Sequence, residues 1–502
     1  MVMSCVFRKR KGVVLIGATI VFLLSASVWE RALTAATLYV AVTNSAPESP
    51  YSSWDTAAAN IQEAIDAAVA GDLVVVGAGI YNTGSRTGDT RLWIDKSVVI
   101  VGASGPLATI IEGYQLPGMT NGDGAVRCVY LSAGATLSGF TLRGGATLAD
   151  NSAGGGGAYC ESGSVITNCI IMGNSAHGFG GGVYGGLVRN SVITGNSVGL
   201  TGSFLGFGGG AYASRLEQCS LRENISRWGG GAMDSFLTNC VVYRNAALNG
   251  GGLNACVAES CTIVSNSAAF SVGGHWMVSE YPSSRNCIVY YNSAPSQPNC
   301  GGVTENISYS CTDGVTGQQN IAGEPMFVDL ESGNLRLREN SPCIGAGDPL
   351  TESVTRDRDN RPRNPAGQTD IGAYGYFGAN IGEFIGWLEI SGLPTDGSGD
   401  TSDSDFDGSD NYEEWRSGTS PSNAEDVLKM LPPQLSTRGI SIEWRSVAGK
   451  SYALMEIHLS ATSGLPRETH IATNVVATGN ITSYLVAVGT NGSAQAFRVK
   501  VE

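Results

Sequence analysis

The chain has 502 residues, more than one ordinary globular core sustains, and 69 of them are glycine, which points to several domains or to a repeat. Acidic residues number 44 against 30 basic ones, for a net charge of −14, and no Lys/Arg cluster lies beyond the extreme N-terminus. A phosphate backbone would be repelled, so nucleic acid is excluded as a partner.

Arg8, Lys9, Arg10 and Lys11 precede the apolar run GVVLIGATIVFLLSASVW, after which Thr34, Ala35 and Ala36 supply small residues for cleavage. This order reads as a secretory signal peptide over residues 1–36, with an uncleaved membrane anchor as its rival. The mature chain is then expected to be secreted or held at the cell surface, without a membrane span. Residues 55–70 predict an amphipathic helix with Ala58, Ile61, Ile65 and Ala68 on one face and Gly71 at its end. It would cap the first coil of a repeating segment, whose open edge otherwise invites aggregation.

The repeat itself is read from its corners. Asn174, Asn196, Asn224, Asn245, Asn266 and Asn292 are spaced by 22, 28, 21, 21 and 26 residues, and a glycine cluster recurs between them. The strand-like runs TNCIIMGN, RNSVITGN, EQCSLREN, TNCVVYRN, ESCTIVSN and RNCIVYYN share a column: Ile171, Ile193, Leu221, Val242, Ile263 and Val289. That column is expected in the core. Cys169, Ser191, Cys219, Cys240, Cys261 and Cys287 stand two residues earlier and face the same way. Stacked coil on coil with parallel Cβ vectors, these cysteines are poorly placed for disulfides, so buried thiols are expected although the chain reads as exported. The asparagines are expected at one corner, in the left-handed conformation and with their amides stacked, and the glycines at another. One β-run per period, without the leucines of a leucine-rich repeat, predicts an all-β parallel β-helix over residues 37–378, with about a dozen coils and a length on the order of 60 Å.

The repeats GGGVY, GGGAY and GNSA resemble those of chlamydial polymorphic outer membrane proteins. Those proteins end in a long membrane β-barrel, for which too few residues remain here. From Leu38 to Phe377 the chain more closely resembles exported bacterial right-handed β-helix proteins of the pectin-lyase-like fold. The opening LYVAVTNSAPESPYSSWDTAAANIQEAIDAAVAGDLVVVGAGIY and the closing NSPCIGAGDP and DIGAYGY carry that likeness. It implies a right-handed helix. It also makes the closing cluster DRDNRPRNPAGQTD structural.

Enzymes of that fold cleave polysaccharides with clustered carboxylates, and glycosidic cleavage by acid and base calls for two nearby ones. In residues 150–295 the acids are Asp150, Glu161, Glu217, Glu223, Asp234, Glu259 and Glu280, scattered over different columns. His177 and His275 have no acid at a suggestive spacing and read as turn or surface residues. A different column comes after the glycine clusters: Tyr159, Tyr184, Tyr212, Met233, Asn254 and Trp276. Facing outward, Tyr159, Tyr184, Tyr212 and Trp276 form a carbohydrate-binding stripe; facing inward they are packing, the reading favoured from sequence.

Residues 379–426 read as a Gly/Ser/Asp linker containing a calcium loop at 403–414, which matches D-x-D-x-D-G-x5-E. The expected ligands are Asp403, Asp405, Asp407, the backbone carbonyl of Ser409, Asn411 and a bidentate Glu414, with Gly408 at the sharp turn. Asp410 at the eighth position argues against a paired EF-hand, and the loop resembles the single calcium loops of dockerin-like or thrombospondin type 3 segments. Calcium is the expected cofactor, with a solvated acidic linker as the alternative. Residues 427–502 alternate apolar and polar in ISIEW, SYALMEI, SYLVAV and AFRVKV and predict a small antiparallel β-sandwich.

The expected function is a secreted or cell-surface binding or adhesion module directed at polysaccharide. The alternatives are a polysaccharide lyase or glycoside hydrolase with its site in the irregular segments 84–150 or 295–378, and a structural surface component.

Overall fold

The computed structural model describes residues 35–84, 88–150, 153–199, 206–278, 284–348, 354–359, 363, 369–376, 381–394, 399, 402–426, 428–431, 434–436, 439–459, 466–486 and 496–501. All of the expected signal peptide except residues 35 and 36 lies outside them. No helix among the described residues is long and apolar enough to cross a membrane.

Three parallel sheets, of 18, ten and five strands, wrap the chain into a right-handed parallel β-helix. Each strand pairs with its counterpart one coil further on. Ile171, Ile193, Leu221, Val242, Ile263 and Val289 form one continuous rung-to-rung column in the ten-stranded sheet, and all are fully buried. The cysteines beside them are buried free thiols, as expected. Cys219, Cys240 and Cys261 each have a neighbour one coil on: the first two donate a backbone N–H to the Sγ of Cys240 and Cys261, and the third to that of Cys287, all at 3.4 Å.

The asparagines differ from expectation in one respect. The left-handed residue is not the asparagine but the one before it: Gly173, Gly195, Glu223, Arg244, Ser265 and Tyr291 have φ between 54 and 61°. That residue makes the bend, which frees the asparagine side chain to point inward. There Asn174, Asn196, Asn224, Asn245, Asn266, Asn292 and Asn299 form a buried ladder, in which each Oδ1 after the first accepts from the backbone N–H and the Nδ2 of the preceding asparagine. The glycine corner is tight. A Cβ on Gly181 would lie 2.3 Å from the carbonyl oxygen of Ser197 and 2.6 Å from that of Gly209, closer than any side chain allows.

The N-terminal helix α1 (Ile61–Ala67) is shorter than the expected 55–70. Asn60 caps it, accepting from the Glu63 N–H, and Ala68 is already extended. Before the cap, Ala58 is drawn into parallel pairing with Val40, donating to Tyr39 O at 2.9 Å, so those residues extend the sheet instead of the helix. Ile61, Ala64 and Ile65 face the rod's core.

The coils stop near residue 321, where Ile321 bridges Cys311. In the 18-stranded sheet eleven successive rungs, from Thr37–Val40 to Ile307–Ser308, span about 48 Å at the usual inter-strand spacing, close to the expected dozen coils and somewhat short of the expected length. The closing segment adds no further rungs. It turns back as a strap along the rod's flank, where Phe327, Leu335, Leu337, Ile371 and Tyr374 cover the outward-facing Val241, Val264, Ile288 and Cys311. Polar ties fix it: Asn239 Nδ2 donates to Arg356 O at 2.7 Å, and Arg363 donates to Asn239 Oδ1 at 2.8 Å. Within the strap, Arg336 and Asp359 make a bidentate pair at 3.0 and 3.1 Å, both fully enclosed, with the Arg336 guanidinium over the Tyr374 ring. The structural expectation for this cluster holds for its described residues.

The expected linker contains structure. Helix α2 (Ile381–Ile390) buries Phe384 and Leu388, and helix α3 (Asn411–Ser417) comes after the acidic loop. Phe384 packs against Tyr412 at 5.1 Å and Trp415 at 5.2 Å, joining the two helices across the loop. Beyond them, two three-stranded antiparallel sheets enclose Ile442, Trp444, Tyr452 and Leu454.

Candidate functional sites: an aromatic ladder and an acidic loop

In the 18-stranded sheet side chains alternate between core and solvent. Ala158 and Cys160 are buried and Tyr159 between them is half-exposed, so the aromatic column faces outward and the inward-packing reading is overturned. The rings nevertheless pack, against one another. Tyr159 and Tyr184 stack at 4.8 Å and 9°, and Tyr184 and Tyr212 at 5.7 Å and 27°. Near-parallel planes on successive coils mean that ring faces are largely occupied by neighbouring rings, leaving edges and hydroxyls for solvent.

The ladder extends further than the sequence column. Trp93 stacks on Tyr130 at 4.0 Å and 11°, and Tyr130 on Tyr159 at 5.8 Å and 14°. Both precede the regular glycine clusters from which the column is counted, which is why the spacing misses them. Their strands, TRLWI and RCVYL, carry the signal: an outward aromatic between buried aliphatics, in register with Tyr159. Toward the other end the column is interrupted by Met233 and Asn254, so Trp276 stands apart from the tyrosines. It packs instead against Trp228 at 5.5 Å. A second stack, Phe179 on Phe207 at 5.4 Å, adjoins the ladder at Tyr212.

Charged groups border the rings. The Glu161 carboxylate accepts from the Tyr130 hydroxyl; burial and that bond push Tyr130 up to about 12. Tyr212 is also pushed up to about 12, by burial and by Asp234. Arg127 lies over the Tyr159 ring at 5.6 Å. Burial would raise the Glu217 carboxyl, but Arg215 and Arg189 at 2.7 and 2.6 Å lower it instead. In the irregular segment, Glu112 is held by Arg143 at 2.9 Å. Glu280 lies outside the described residues. His275 is not a surface residue: it is fully buried, bonded to Ser284 Oγ at 2.8 Å and Cys256 O at 3.1 Å, and burial lowers it to about 4.

The acidic loop is drawn together as its spacing predicts. Carboxylate oxygens of Asp403, Asp405 and Asp407 lie within 4.8 Å of one another, the one such group among the described residues. Asp403 accepts the N–H groups of Asp407 and Gly408, and Asp407 accepts that of Ser409, so the backbone curls around the acids. Gly408 has φ 97°, the turn that its position requires. Asp410 caps α3, which carries the fully buried Glu414 within electrostatic reach of the three aspartates, although its carboxylate is not part of their close group. Both Glu414 oxygens, both Asp405 oxygens and Asp407 Oδ2 are buried without a hydrogen-bond partner. Burial and then the neighbouring aspartates push Glu414 up to about 7. Buried, unpartnered carboxylate oxygens are costly alone and match the all-oxygen shell of a hard divalent cation. Asn411 is the exception among the expected ligands. Its Nδ2 donates to Gly399 O at 2.5 Å and its Oδ1 accepts from Ser404 at 3.0 Å, so its amide braces the loop.

The stacked registers, the buried asparagine ladder and the lateral strap together define a right-handed parallel β-helix. No family model matches the chain, and no curated protein does. Among solved structures, one described as the crystal structure of pectate lyase Pel9A is 15% identical, over 68% of this chain and 97% of that one, with a TM-score of 0.44. Another, described as the complex structure of XylC with xylose, is 9% identical, over 92% of this chain and 100% of that one, with a TM-score of 0.29. The class assignment rests on the chain's own sheet registers.

Proposed function

We propose that the chain is an exported or surface-held rod that binds an extended polysaccharide along its axis without cleaving it. The observation that carries this reading is the run of outward rings Trp93, Tyr130, Tyr159, Tyr184 and Tyr212, one per coil. A linear glycan laid along that row meets ring edges and tyrosine hydroxyls at a repeat of about 4.8 Å, the coil spacing. Trp276, paired with Trp228, extends the aromatic surface past the interruption at Met233 and Asn254. The rings orient the ligand, and the hydroxyls, with Glu161 and Asp234 beside them, exchange hydrogen bonds with the sugar.

Calcium fills the acidic loop, held by Asp403, Asp405, Asp407 and Glu414 with the Ser409 carbonyl, while Asn411 braces the turn. It neutralises carboxylates that otherwise repel one another and locks α2 to α3. Its role is to stiffen the connection between rod and sandwich.

The test is size-exclusion chromatography of a polysaccharide panel incubated with the purified chain in calcium, following glycan length and protein position together. Intact glycan that carries the protein with it supports the reading. Shortened glycan turns the reading to a lyase or hydrolase, and no change in either turns it to a structural surface component.

A further inference from the structure

Two of the buried thiols are not stacked on neighbouring rungs: one belongs to the last rung and the other to the strap, and both lie in one buried cluster. Cys311 pairs with Ile288 on the last rung of the ten-stranded sheet; the adjacent Val289 fills the core, so Ile288 and Cys311 point outward, under the strap. Cys343 belongs to the strap itself, anchored by its N–H to Ser341 Oγ at 3.2 Å and by its carbonyl, which accepts from Ile371 at 2.9 Å. Both side chains are fully buried in the cluster formed by Phe327, Leu337 and Ile371. The Cys311 thiol contacts Gly323 O at 3.1 Å, and Cys311 and Cys343 belong to the same buried cluster.

We propose that Cys311 and Cys343 form a disulfide in the exported protein, stapling the strap to the end of the rod. The inference rests on export to an oxidising compartment and is independent of what the rod binds. The cysteines of the ladder are unsuited to the same reaction. Cys219, Cys240, Cys261 and Cys287 sit on successive parallel rungs, where strand register fixes their Cβ vectors side by side and each of the last three thiols already accepts an N–H from the preceding coil. Cys311 and Cys343 instead come from two different segments, the rod and the strap, that meet in one buried cluster.

In the reaction, two thiols lose two protons and two electrons as the Sγ–Sγ bond forms. The acceptor is the disulfide of a thiol oxidase, which is reduced to two thiols through a mixed disulfide. Because both sulfurs are enclosed once the strap is seated, exchange takes place while the strap docks.

The full chain, produced by export, is quenched in acid, denatured, alkylated with iodoacetamide without reductant, digested and mapped by mass spectrometry. The expected result is a linked peptide pair containing Cys311 and Cys343, with the ladder cysteines alkylated. In C343S, Cys311 becomes alkylated and no other pair replaces it. In urea, the midpoint of the exported protein falls when dithiothreitol is added, whereas that of the C311S/C343S double variant does not move. Alkylation of both cysteines in the exported protein, or the pairing of either with a ladder cysteine, overturns the proposal.

Discussion

Asn245 Oδ1 accepts two hydrogen bonds from Asn224, one from its backbone N–H at 3.0 Å and one from its side-chain amide at 2.9 Å. The same amide also donates to Ile193 O at 2.9 Å, and Asn224 Oδ1 in turn accepts from Asn196. Each residue thus ties three coils. Asn224→Ala strands the backbone N–H of Asn196 and the carbonyl of Ile193 in the core. At about 1–3 kcal/mol per unsatisfied buried group, the expected loss is about 3 kcal/mol, read as a lower midpoint in urea unfolding. The exposed Asn423 serves as the control and should leave the midpoint unchanged.

Tyr184 lies inside the ladder, stacked on both sides. Tyr184→Ala removes the two stacked ladder pairs at about 1 kcal/mol each, together with the edge contact to Phe179, and opens a gap in the row offered to the glycan. Stability should fall by about 2 kcal/mol with folding retained, and affinity for a retained polysaccharide by about tenfold, measured by affinity electrophoresis. Loss of stability without loss of affinity would assign the ladder to packing alone.

Calcium should reverse the sign of the Glu414→Gln effect. Without calcium, the substitution removes a buried charge facing three aspartates and raises the unfolding temperature of the C-terminal region. With calcium it removes a ligand, so the stabilisation seen in the parent, about 2.7 kcal/mol at a hundredfold excess over the dissociation constant, is lost. Calorimetric melts with calcium and with chelator distinguish this loop from a solvated acidic linker, which would respond to neither.

His275 makes the rod acid-sensitive. Its folded value is about 4 against 6.5 for the exposed imidazole, because burial disfavours the cation. Between those values the unfolded chain binds the proton that the folded one refuses. The contribution is therefore complete above about pH 6.5 and lost as pH falls toward 4, on the order of 3 kcal/mol in all. His275→Gln should flatten the fall in urea midpoint over that window.

The Arg336–Asp359 pair anchors the strap from inside. Asp359→Ala removes the buried carboxylate that both Nε and Nη2 of Arg336 donate to and should cost about 3–5 kcal/mol. Limited proteolysis should then release the strap before the coils.

The parts legible in the sequence are those in which one coil repeats another. The core column from Ile171 to Val289, the inward thiols and the stacked amides follow from spacing, because each position meets its own equivalent one turn later. The acidic loop is legible for a related reason: its carboxylates lie within twelve consecutive residues. The capping helix is shorter than its apolar pattern predicts, since nothing local shows that Ala58 joins the first strand.

Sequence by itself therefore determined the period, the buried faces and the acidic loop. Tertiary structure alone decided that the aromatic column faces outward and stacks on itself, that Trp93 and Tyr130 continue it, and that residues past 321 fold back along the flank. It alone brings Cys311 and Cys343 into one buried cluster and Asn239 to Arg363. The reason is physical. A repeat encodes contacts between equivalent residues, whereas a strap lying across several coils is held by unlike residues far apart in the chain, and no periodicity records which of them will meet.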